Sequence, residues 1–524
     1  MIQINNLTLT HRQDLHAVLQ DFSLTLNHGD KAAIIGEEGN GKSTLLKWLF
    51  NPLLVSNYID CEGTCSATGE VLAYLPQELP HSDSNKTVYE FFLDEDEFLL
   101  YTPKELGHIA QKFNLPLTFY YEDTQMKHLS GGEKIKAQLM RIIISKPTAL
   151  LLDEPSNDLD IETLEWLEKF FNTWDGILLF VSHDEELITN TANKIIHLEQ
   201  LKRKTECRST VAKMNYTQYM NKRSAKLAKQ EKQALNEKKE RTKKDEKLRC
   251  IRQSVEHELR TVSRQEPEVG RLLKKKMHAV KAMERRYLKE EQRSTKRPDY
   301  EDAIKIRARS NEHLLPSNKE VLALNQLILE TPEGKVLSSP INLQISGPEK
   351  ILITGKNGSG KSTLLKAIYH ELRNRNDLNV LYMPQNYTEQ IDDHLTPIEA
   401  IMCEGTKDER TQIQTYLGSL KFTPKEMNHP FRNLSGGQKA KVYLLKILLS
   451  NANVLLLDEP TRNFSPLSSP ELRKLLNSFN GVLICVSHDR KLIQELDAKI
   501  LELSENGLEM KRLSKPAIPS SLMN

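Results

Sequence analysis

Two glycine-rich segments of the chain have the residue types and the spacing of a phosphate-binding loop. GEEGNGKS begins at residue 36 and GKNGSGKS at residue 355, and each follows an apolar run and precedes TLLK. Glycines at these positions let backbone N–H groups face phosphate oxygens, and the following helix adds its dipole. Lys42 and Lys361 would reach the β- and γ-phosphates of a nucleotide, and Ser43 and Ser362 would coordinate Mg²⁺. The pattern also assigns to the nucleotide Gly36, Gly39, Gly41, Thr44, Gly355, Gly358, Gly360 and Thr363.

Two acidic pairs are the second feature that could do chemistry. The apolar run ALLLD ends at Asp153 and is followed by Glu154. The run VLLLD ends at Asp458 and is followed by Glu459. An aspartate at the end of a buried strand suits the ordering of Mg²⁺. The glutamate beside it could take a proton from an attacking water molecule. Because adjacent carboxylates repel each other, a purely structural role explains the pairs poorly.

Five motifs recur in the same order in the two halves of the chain. They are GKSTLLK, the YLPQ/YMPQ segment, LSGG, LLLDEP and VSHD, and the copies are 319, 308, 305, 305 and 305 residues apart. Apolar runs such as KAAIIG and ILLFVS indicate buried parallel strands, with the motif residues where the strands end. We therefore predict an α/β fold with two similar domains, 1–215 and 319–524.

The segment between the halves differs in charge and in composition. Residues 221–310 hold 29 Lys/Arg against 15 Asp/Glu, a net charge of +14, whereas the rest of the chain has a net charge of −12. Long stretches without Gly or Pro favour helix. We predict an antiparallel helical hairpin within a linker of residues 216–318, with its tip near 261–271, where Pro267 and Gly270 interrupt the pattern. A thin apolar seam, Leu248, Ile251, Val255, Leu259, Leu273, Met277, Val280, Met283 and Tyr287, would join the two helices.

The composition excludes several classes of protein. No run approaches the ~20 apolar residues that a membrane span needs. The start, MIQINNLTLT, lacks a basic segment followed by an apolar core, so we expect no secretion signal. The six cysteines are scattered, which suits a reducing cytoplasm and makes a metal site at Cys61 and Cys65 a poor explanation.

Together these motifs resemble the nucleotide-binding domains of the ATP-binding cassette superfamily, whose signature is LSGG. The resemblance implies that the two halves pack head to tail and hold two ATP molecules with Mg²⁺. Glu154 and Glu459 would be the catalytic carboxylates, and His183 and His488 would sense the γ-phosphate. One site would combine Lys42, Gln77, Asp153, Glu154 and His183 with Ser435, Gly436 and Gly437. The other would combine Lys361, Gln385, Asp458, Glu459 and His488 with Ser130, Gly131 and Gly132. The Mg²⁺ ligands would be Ser43, Gln77 and Asp153, and Ser362, Gln385 and Asp458.

A tandem pair joined by a basic helical hairpin resembles the ABC-F family of ribosome-associated ATPases. SRQEPEVGRLLKKKMHAVKAMERR (263–286) and NYTQY (215–219) are similar to the linkers of that family. The resemblance implies a cytoplasmic ATPase, monomeric off the ribosome, that binds in its ATP-closed form. Its linker would reach the large subunit's rRNA, the P-site tRNA and the peptidyl-transferase centre.

The basic charge of the linker suits RNA phosphates independently of the resemblance, although a solvated, charged coiled coil would show the same composition. The candidate phosphate contacts are Lys274, Lys275, Lys276, Arg285 and Arg286. The candidate tip residues, which could approach a base or peptide by shape, are Val262, Gln265, Pro267 and Val269.

Three functions remain open at this point. The first is a ribosome-associated factor, which could either protect against large-subunit antibiotics or act in translation without a resistance role. Near-equal gaps between glutamine and signature, 52 and 49 residues, leave no room for an inserted arm, and we expect no large extension after His488. Both features resemble the resistance group. The second function is the ATPase subunit of a transporter with a separate membrane subunit, and the third is an ATPase that acts on DNA.

The segments after the two LLLDEP motifs differ, and they predict unequal sites. SNDLD would supply Asp160 to a contact with the opposite half, whereas TRNFS would offer Phe464 and Ser465, followed by Pro466 and Pro470. Because the second half keeps all its nucleotide-binding residues, we predict two competent sites that turn over at different rates.

Overall fold

The computed structural model describes residues 1–12, 15–201, 206–261, 267–293, 315–331, 334, 336–403 and 405–511. The chain forms two compact units, one made of residues Met1–Tyr216 and Glu301–Asn524 and the other of residues Thr217–Tyr300. Val262 and Gln265, two of the expected tip residues, lie outside the described residues.

The first half of the larger unit contains two sheets flanked by helices. Its strands are β1 (Ile2–His11), β2 (Ala17–Leu26), β3 (Lys31–Ile35), β4 (Ile59–Ser66), β5 (Leu72–Leu75), β6 (Ala149–Asp153), β7 (Ile177–Val181), β8 (Lys194–Leu201) and β9 (Glu206–Ala212). Its α-helices are α1 (Lys42–Phe50), α2 (His81–Ser84), α3 (Val88–Leu93), α4 (Pro103–Lys112), α5 (Gly131–Ile144), α6 (Ile161–Thr173) and α7 (Glu185–Thr191). The main sheet has the order β5-β6-β7-β3-β8-β9, and the smaller, antiparallel sheet has the order β2-β1-β4.

The smaller unit is built on two long helices, α8 (Tyr216–Thr261) and α9 (Pro267–Arg293). They run antiparallel, because Arg252 of α8 pairs with Glu284 of α9 and Lys244 lies over the Tyr287 ring. Four seam residues are buried, namely Leu248, Val255, Leu273 and Val280. Ile251 and Met283 are about half exposed, so the apolar seam is narrower than the sequence spacing predicts.

The second half repeats the first. Its strands are β10 (Glu320–Leu327), β11 (Ile341–Ser346), β12 (Lys350–Thr354), β13 (Val380–Met383), β14 (Val454–Asp458), β15 (Val482–Val486), β16 (Lys499–Ser504) and β17 (Gly507–Met510). Its α-helices are α10 (Lys361–Leu372), α11 (Pro397–Ile401), α12 (Lys407–Ser419), α13 (Pro424–Met427), α14 (Gly436–Leu449), α15 (Ser469–Ser478) and α16 (Arg490–Glu495). The main sheet has the order β13-β14-β15-β12-β16-β17, which matches the first half strand for strand.

The main sheets are parallel except at one edge, where β9 and β17 run antiparallel to their neighbours. Every residue of β6 and of β14 is buried, as expected for strands covered by helices on both faces. Since parallel strands end at the same edge, the residues that follow β3, β6 and β7 meet there. The fold is the α/β architecture that the sequence predicts.

Candidate functional site

The two glycine-rich loops curl around the lysine that begins the next helix. The Lys42 ammonium donates hydrogen bonds to the carbonyl oxygens of Gly36 (2.9 Å) and Glu37 (3.0 Å). The Lys361 ammonium makes the same contacts with Gly355 (2.9 Å) and Lys356 (2.7 Å). Each loop therefore holds a positive charge against the N-terminus of α1 or α10, where an anion is also favoured by the helix dipole.

Glycine is required at the first position of each loop. Gly36 has a φ of 152° and Gly355 a φ of 145°, in the region that side chains disfavour. A Cβ on either residue would lie 2.3 Å from the carbonyl oxygen of Leu198 or of Leu503. The main chain of the loop can pack against the neighbouring strand only without side chains at these positions.

The aspartates at the ends of β6 and β14 lie next to the loop serines and fit a Mg²⁺ site. The Ser43 hydroxyl donates to Asp153 Oδ1 (2.9 Å), and burial raises the pKa of Asp153 to about 6. Asp458 is buried, and neither of its carboxylate oxygens has a hydrogen-bond partner. A buried carboxylate without a partner is costly, and one carboxylate with hydroxyl and phosphate oxygens is a usual Mg²⁺ environment. Within the described ranges no cluster of three or more His, Cys, Asp or Glu could hold a metal.

The glutamate of the first half is tied to the histidine after β7. Glu154 Oε1 lies 2.8 Å from His183 Nε2, and Asn157 (2.6 Å) and Gln77 (3.4 Å) donate to Glu154 Oε2. Burial raises the pKa of Glu154, but the charge and hydrogen bond of His183 outweigh it and lower the pKa to about 2. The predicted residues Gln77, Glu154 and His183 thus form one hydrogen-bonded group.

The equivalent group of the second half has a different geometry. His488 Nε2 lies 3.8 Å from Glu459 Oε1, beyond hydrogen-bond distance. Burial raises the pKa of Glu459 to about 8, and burial together with the Lys361 charge lowers the pKa of His488 to about 4. Both glutamates share a strained backbone, with φ of 51° at Glu154 and 50° at Glu459, which is common at functional sites.

The second-half loop and the first-half signature line one cavity, here called site 2. Its volume is ≈ 970 Å³, enough for a nucleotide. Of the residues predicted for this site, its lining includes Ser130, Gly131, Gly358, Gly360, Lys361, Ser362, Thr363, Gln385, Asp458, Glu459 and His488. Gly132 lies instead against Thr163, and Gly355 against Leu503.

The first-half loop faces the second-half signature at the equivalent place, here called site 1. The Ser435 hydroxyl (2.8 Å) and the Gly437 N–H (2.6 Å) both donate to Glu38 Oε2. Gly436 lies beside Asn463, where a Cβ would be 3.2 Å from the side-chain oxygen. The loop that ends at Lys42 therefore contacts the second-half signature through Glu38.

Glu37 makes a buried contact with the second half. Its carboxylate pairs with Lys441 (3.0 Å) and accepts hydrogen bonds from Ser465 (2.5 Å) and Ser468 (2.6 Å). Burial raises its pKa, but Lys441 and the two hydroxyl groups outweigh burial and lower it to about 2. Ser465 thus crosses to the first half, as expected from the sequence.

Asp160 contacts the second half, as expected from the sequence, because its carboxylate accepts a hydrogen bond from the Asn357 backbone N–H. Asp158, two residues earlier, pairs with Arg462 (2.6 Å), and its carbonyl oxygen accepts a hydrogen bond from the Asn357 side chain (2.6 Å). The Asp160 carboxylate also accepts from the Thr163 N–H and so caps α6. Phe464 is buried in the second-half core, and Ile161 of the first half packs against this core.

A second polar contact joins the halves near the two histidines. Arg490 pairs with Glu168 (2.8 Å), Glu186 (3.0 Å) and Asp184 (3.3 Å). Arg473 pairs with Glu185 (2.9 Å), so acidic residues after His183 meet basic residues of the second half. VSHDEE and VSHDRK carry this complementarity in the sequence.

The residues that sequence reasoning missed are therefore those that join the halves: Glu37, Glu38, Asn357, Arg462, Arg473 and Arg490. The signal was present, because GEEG differs from GKNG and TRNFS from SNDLD in the same repeat. Aligning the two halves shows which positions differ between them. Only the folded chain shows that residues at these positions contact each other.

In the smaller unit, the five candidate RNA-binding residues lie on α9, and their side chains are exposed: Lys274, Lys275, Lys276, Arg285 and Arg286. Pro267 and Val269 lie in the first turn of α9, and their side chains are outside the described part of the chain. In the portion of the chain that the structure describes, none of the helices has the length and apolar character needed to cross a bilayer.

Each half has a mainly parallel sheet with a phosphate-binding loop, and each loop faces the LSGG signature of the other half. This arrangement defines a tandem ATP-binding cassette ATPase. A family model described as "ABC transporter" matches residues 19–157 and 338–462. The chain belongs to the ATP-binding cassette superfamily and, within it, to the ABC-F family. It is accordingly an ATPase.

Relatives support this placement along nearly the whole chain. Ribosome protection protein VmlR from Bacillus subtilis (strain 168) is 28% identical over 95% of this chain and 86% of its own length. ATP-binding cassette sub-family F member 2 from Mus musculus is 27% identical over 95% of this chain and 79% of its own. The solved complex of an archaeal ribosomal stalk protein with the ribosome recycling factor aABCE1 shares the fold. Its TM-score is 0.59 at 16% identity, over 97% of this chain and 90% of that one.

Proposed function

We propose that this protein is a cytoplasmic, ribosome-associated ATPase that protects ribosomes from large-subunit antibiotics. In this proposal it binds the ribosome with its two halves closed on ATP, as a monomer and without a membrane subunit. The linker of residues 216–318 then extends toward the P-site tRNA and the peptidyl-transferase centre. The observation that carries the proposal is the pair of long helices with exposed basic residues, joined to two cassettes of the ABC-F family.

The dimensions and charge of the hairpin support a role on RNA. A helix of the length of α8 spans about 70 Å at 1.5 Å per residue. Lys274, Lys275 and Lys276 are exposed on three consecutive positions of α9, near its N-terminal end. Side chains arranged this way can contact phosphates on both sides of a narrow rod, and their binding would be sequence-independent and salt-dependent.

The two sites would hold ATP in similar ways. Lys42 and Lys361 would bind the β- and γ-phosphates, and Ser435–Gly437 and Ser130–Gly132 would donate to the γ-phosphate from the opposite half. Ser43, Gln77 and Asp153 would hold Mg²⁺ in site 1, and Ser362, Gln385 and Asp458 in site 2. Bound Mg²⁺ would neutralise charge that develops on the phosphates.

The chain's own residues would complete the reaction. Glu154 and Glu459 would each orient a water molecule and accept its proton. His183 would fix the Glu154 carboxylate through their 2.8 Å contact. In site 2 the Glu459 carboxylate accepts from the His488 backbone N–H (3.3 Å) but would need a shift of about 1 Å to reach Nε2 of the His488 ring. This difference supports unequal turnover.

A drug-resistance experiment separates protection from a role in translation alone. Cells expressing the chain should tolerate higher concentrations of inhibitors that bind near the peptidyl-transferase centre. The matched control carries Lys42→Ala and Lys361→Ala, which remove both phosphate-binding charges and should give no protection. Unchanged inhibitory concentrations across such drugs, for a chain that still binds ribosomes, would favour a translation factor. ATPase activity that depends on membranes would favour a transporter subunit.

A further inference from the structure

Glu38 places a carboxylate on the donors of the second-half signature. Its Oε2 accepts from the Ser435 hydroxyl at 2.8 Å and from the Gly437 N–H at 2.6 Å. A Cβ on Gly437 would lie 2.1 Å from Glu38 Oε1, so a side chain at residue 437 would force the carboxylate to move from this position. The carboxylate also sits at the N-terminus of α14, where the helix dipole favours an anion.

A single residue in the signature helps to direct the serine proton to Glu38. In LSGGE, the Ser130 hydroxyl donates to Glu133 of its own helix at 2.7 Å. In LSGGQ, residue 438 is a glutamine whose side-chain oxygen accepts from the Ser435 N–H (3.0 Å). The Ser435 hydroxyl therefore has no carboxylate on its own capping turn, and it donates across the interface instead.

The equivalent position of the other loop carries no charge. Asn357 occupies the place of Glu38 in GKNGSGKS, and its side-chain N–H donates to the Asp158 carbonyl oxygen at 2.6 Å. Ser130 and Gly131 line the ≈ 970 Å³ cavity of site 2. The facing phosphate loop thus presents a carboxylate to the signature donors in site 1 and an amide in site 2.

The neighbouring residue holds this arrangement in place. Glu37 is fixed by Lys441, Ser465 and Ser468 of the second half, and it is 6% exposed. Because Glu37 anchors the loop, the Glu38 side chain can leave Ser435 and Gly437 by rotation without separating the halves. Glu37, which holds the loop, and Glu38, whose side chain can rotate away, are thus adjacent residues with different partners.

We propose that Glu38 competes with the γ-phosphate of ATP for Ser435 and Gly437, so that site 1 requires a higher ATP concentration than site 2. This inference rests on the proposed pairing of each phosphate loop with the opposite signature. Two anions cannot share the same pair of donors, so ATP binds site 1 only in the fraction of molecules whose Glu38 has turned away. Hydrogen bonds to a charged group are strong enough for this competition to weaken ATP binding by on the order of tenfold.

The test measures ATP binding rather than turnover. The full chain carrying Glu154→Gln and Glu459→Gln is dialysed to equilibrium against radiolabelled ATP with Mg²⁺. Two ATP molecules should bind, with dissociation constants about tenfold apart. Adding Lys42→Ala should remove the weaker class, which assigns it to site 1, and adding Lys361→Ala should remove the tighter class.

Glu38→Gln and Glu38→Asn, each in that background, should tighten the weaker class by about tenfold and leave the tighter class unchanged. The second variant installs the amide that the other loop already has. The control Glu62→Gln, an exposed carboxylate on β4, should change neither constant. Thermal unfolding of each variant verifies that it is folded.

Two results would overturn the inference. In one, both Glu38 variants fold and bind ATP with an unchanged weaker constant. In the other, Lys42→Ala removes the tighter class. Neither result bears on ribosome binding, because a chain with two equal ATP sites could still act on ribosomes. Loss of ribosome binding with the two constants tenfold apart would overturn the proposed function alone.

Discussion

Glu37, in the first phosphate-binding loop, accepts a hydrogen bond of 2.5 Å from Ser465, which lies 428 residues later in the chain. Both residues belong to segments that depart from their repeat, GEEG in the first half and TRNFS in the second. The two departures are complementary, because one supplies a buried carboxylate and the other supplies its hydroxyl donors. An altered segment after the second LLLDEP is thus part of the interface between the halves.

Glu37→Gln should destabilise the closed pair of halves. The change removes the buried negative charge that pairs with Lys441, and removing one partner of a buried ion pair typically costs about 3–5 kcal/mol. The measurement is urea unfolding at neutral pH. Glu62→Gln is the matched control, since Glu62 is exposed and should change the free energy of unfolding by less than about 0.5 kcal/mol. Equal effects of the two substitutions would contradict the role of Glu37.

The contribution of Glu37 should depend on pH. Its pKa is lowered from 4.5 to about 2 in the folded protein, so the folded state favours the ionised form. The stabilisation is fully present above the ordinary pKa and is lost as pH falls from about 4.5 toward 2. Unfolding of the original chain and of Glu37→Gln, compared at several pH values, should give a difference that shrinks across this interval. A difference that stays constant from neutral pH to pH 3 would refute the assignment.

Arg490→Ala should weaken the contact between the halves by about 3–5 kcal/mol, because it leaves three carboxylates near one another without their cation. Lys474→Ala is the matched control on the same half. Lys474 is 72% exposed and pairs with Glu471 three residues away, a surface pair worth about 0–1 kcal/mol. Combining Arg490→Ala with Glu186→Ala in a double-mutant cycle measures the coupling directly. A coupling energy near zero would show that the two side chains do not interact in solution.

Glu154→Gln and Glu459→Gln should slow ATP turnover to different extents. Glu154 lies 2.8 Å from His183, whereas Glu459 and His488 are 3.8 Å apart. The better-aligned site should carry more of the turnover, and removing a general base costs about 10²–10⁴-fold at the affected site. Steady-state hydrolysis by each single variant checks this. Equal residual rates would remove the claim of unequal sites.

Removing charge near the hairpin tip should weaken ribosome binding more than removing it at the base. Lys274→Ala with Lys275→Ala and Lys276→Ala should reduce affinity and lower its salt dependence, because each phosphate contact contributes to the slope. The matched control, Lys226→Ala with Lys229→Ala and Lys232→Ala, removes three exposed lysines near the start of α8. Equal losses in the two triple variants would indicate attraction by net charge alone.

Much of this architecture follows from local sequence patterns. The strand order and the two phosphate loops repeat because the apolar runs and glycines repeat, and Gly36 and Gly355 occupy the same strained place. The hairpin follows from helix-forming composition and from the break near Pro267. Site 2 gathers most of its predicted residues around one cavity, although Gly132 and Gly355 are not in its lining.

What the sequence did not predict depends on pairs that are distant along the chain. Asp158 pairs with Arg462 of the second half, a contact that the sequence does not predict, whereas Asp160 both caps α6 and accepts from the Asn357 N–H. Glu38 and Ser435 are 397 residues apart, and no local pattern links a loop carboxylate to a signature hydroxyl. Such contacts depend on how the two halves pack against each other, and this packing is seen only in the folded chain.

The most direct test of the central claim is the sedimentation of ribosomes with the chain that carries Glu154→Gln and Glu459→Gln. In ATP, slow hydrolysis should hold the halves closed, and this chain should migrate with ribosomes through a sucrose gradient. In ADP, and in the control that also carries Lys42→Ala and Lys361→Ala, it should remain at the top. A hydrolysis-deficient chain that binds two ATP molecules yet stays at the top of the gradient in ATP would contradict the proposed function.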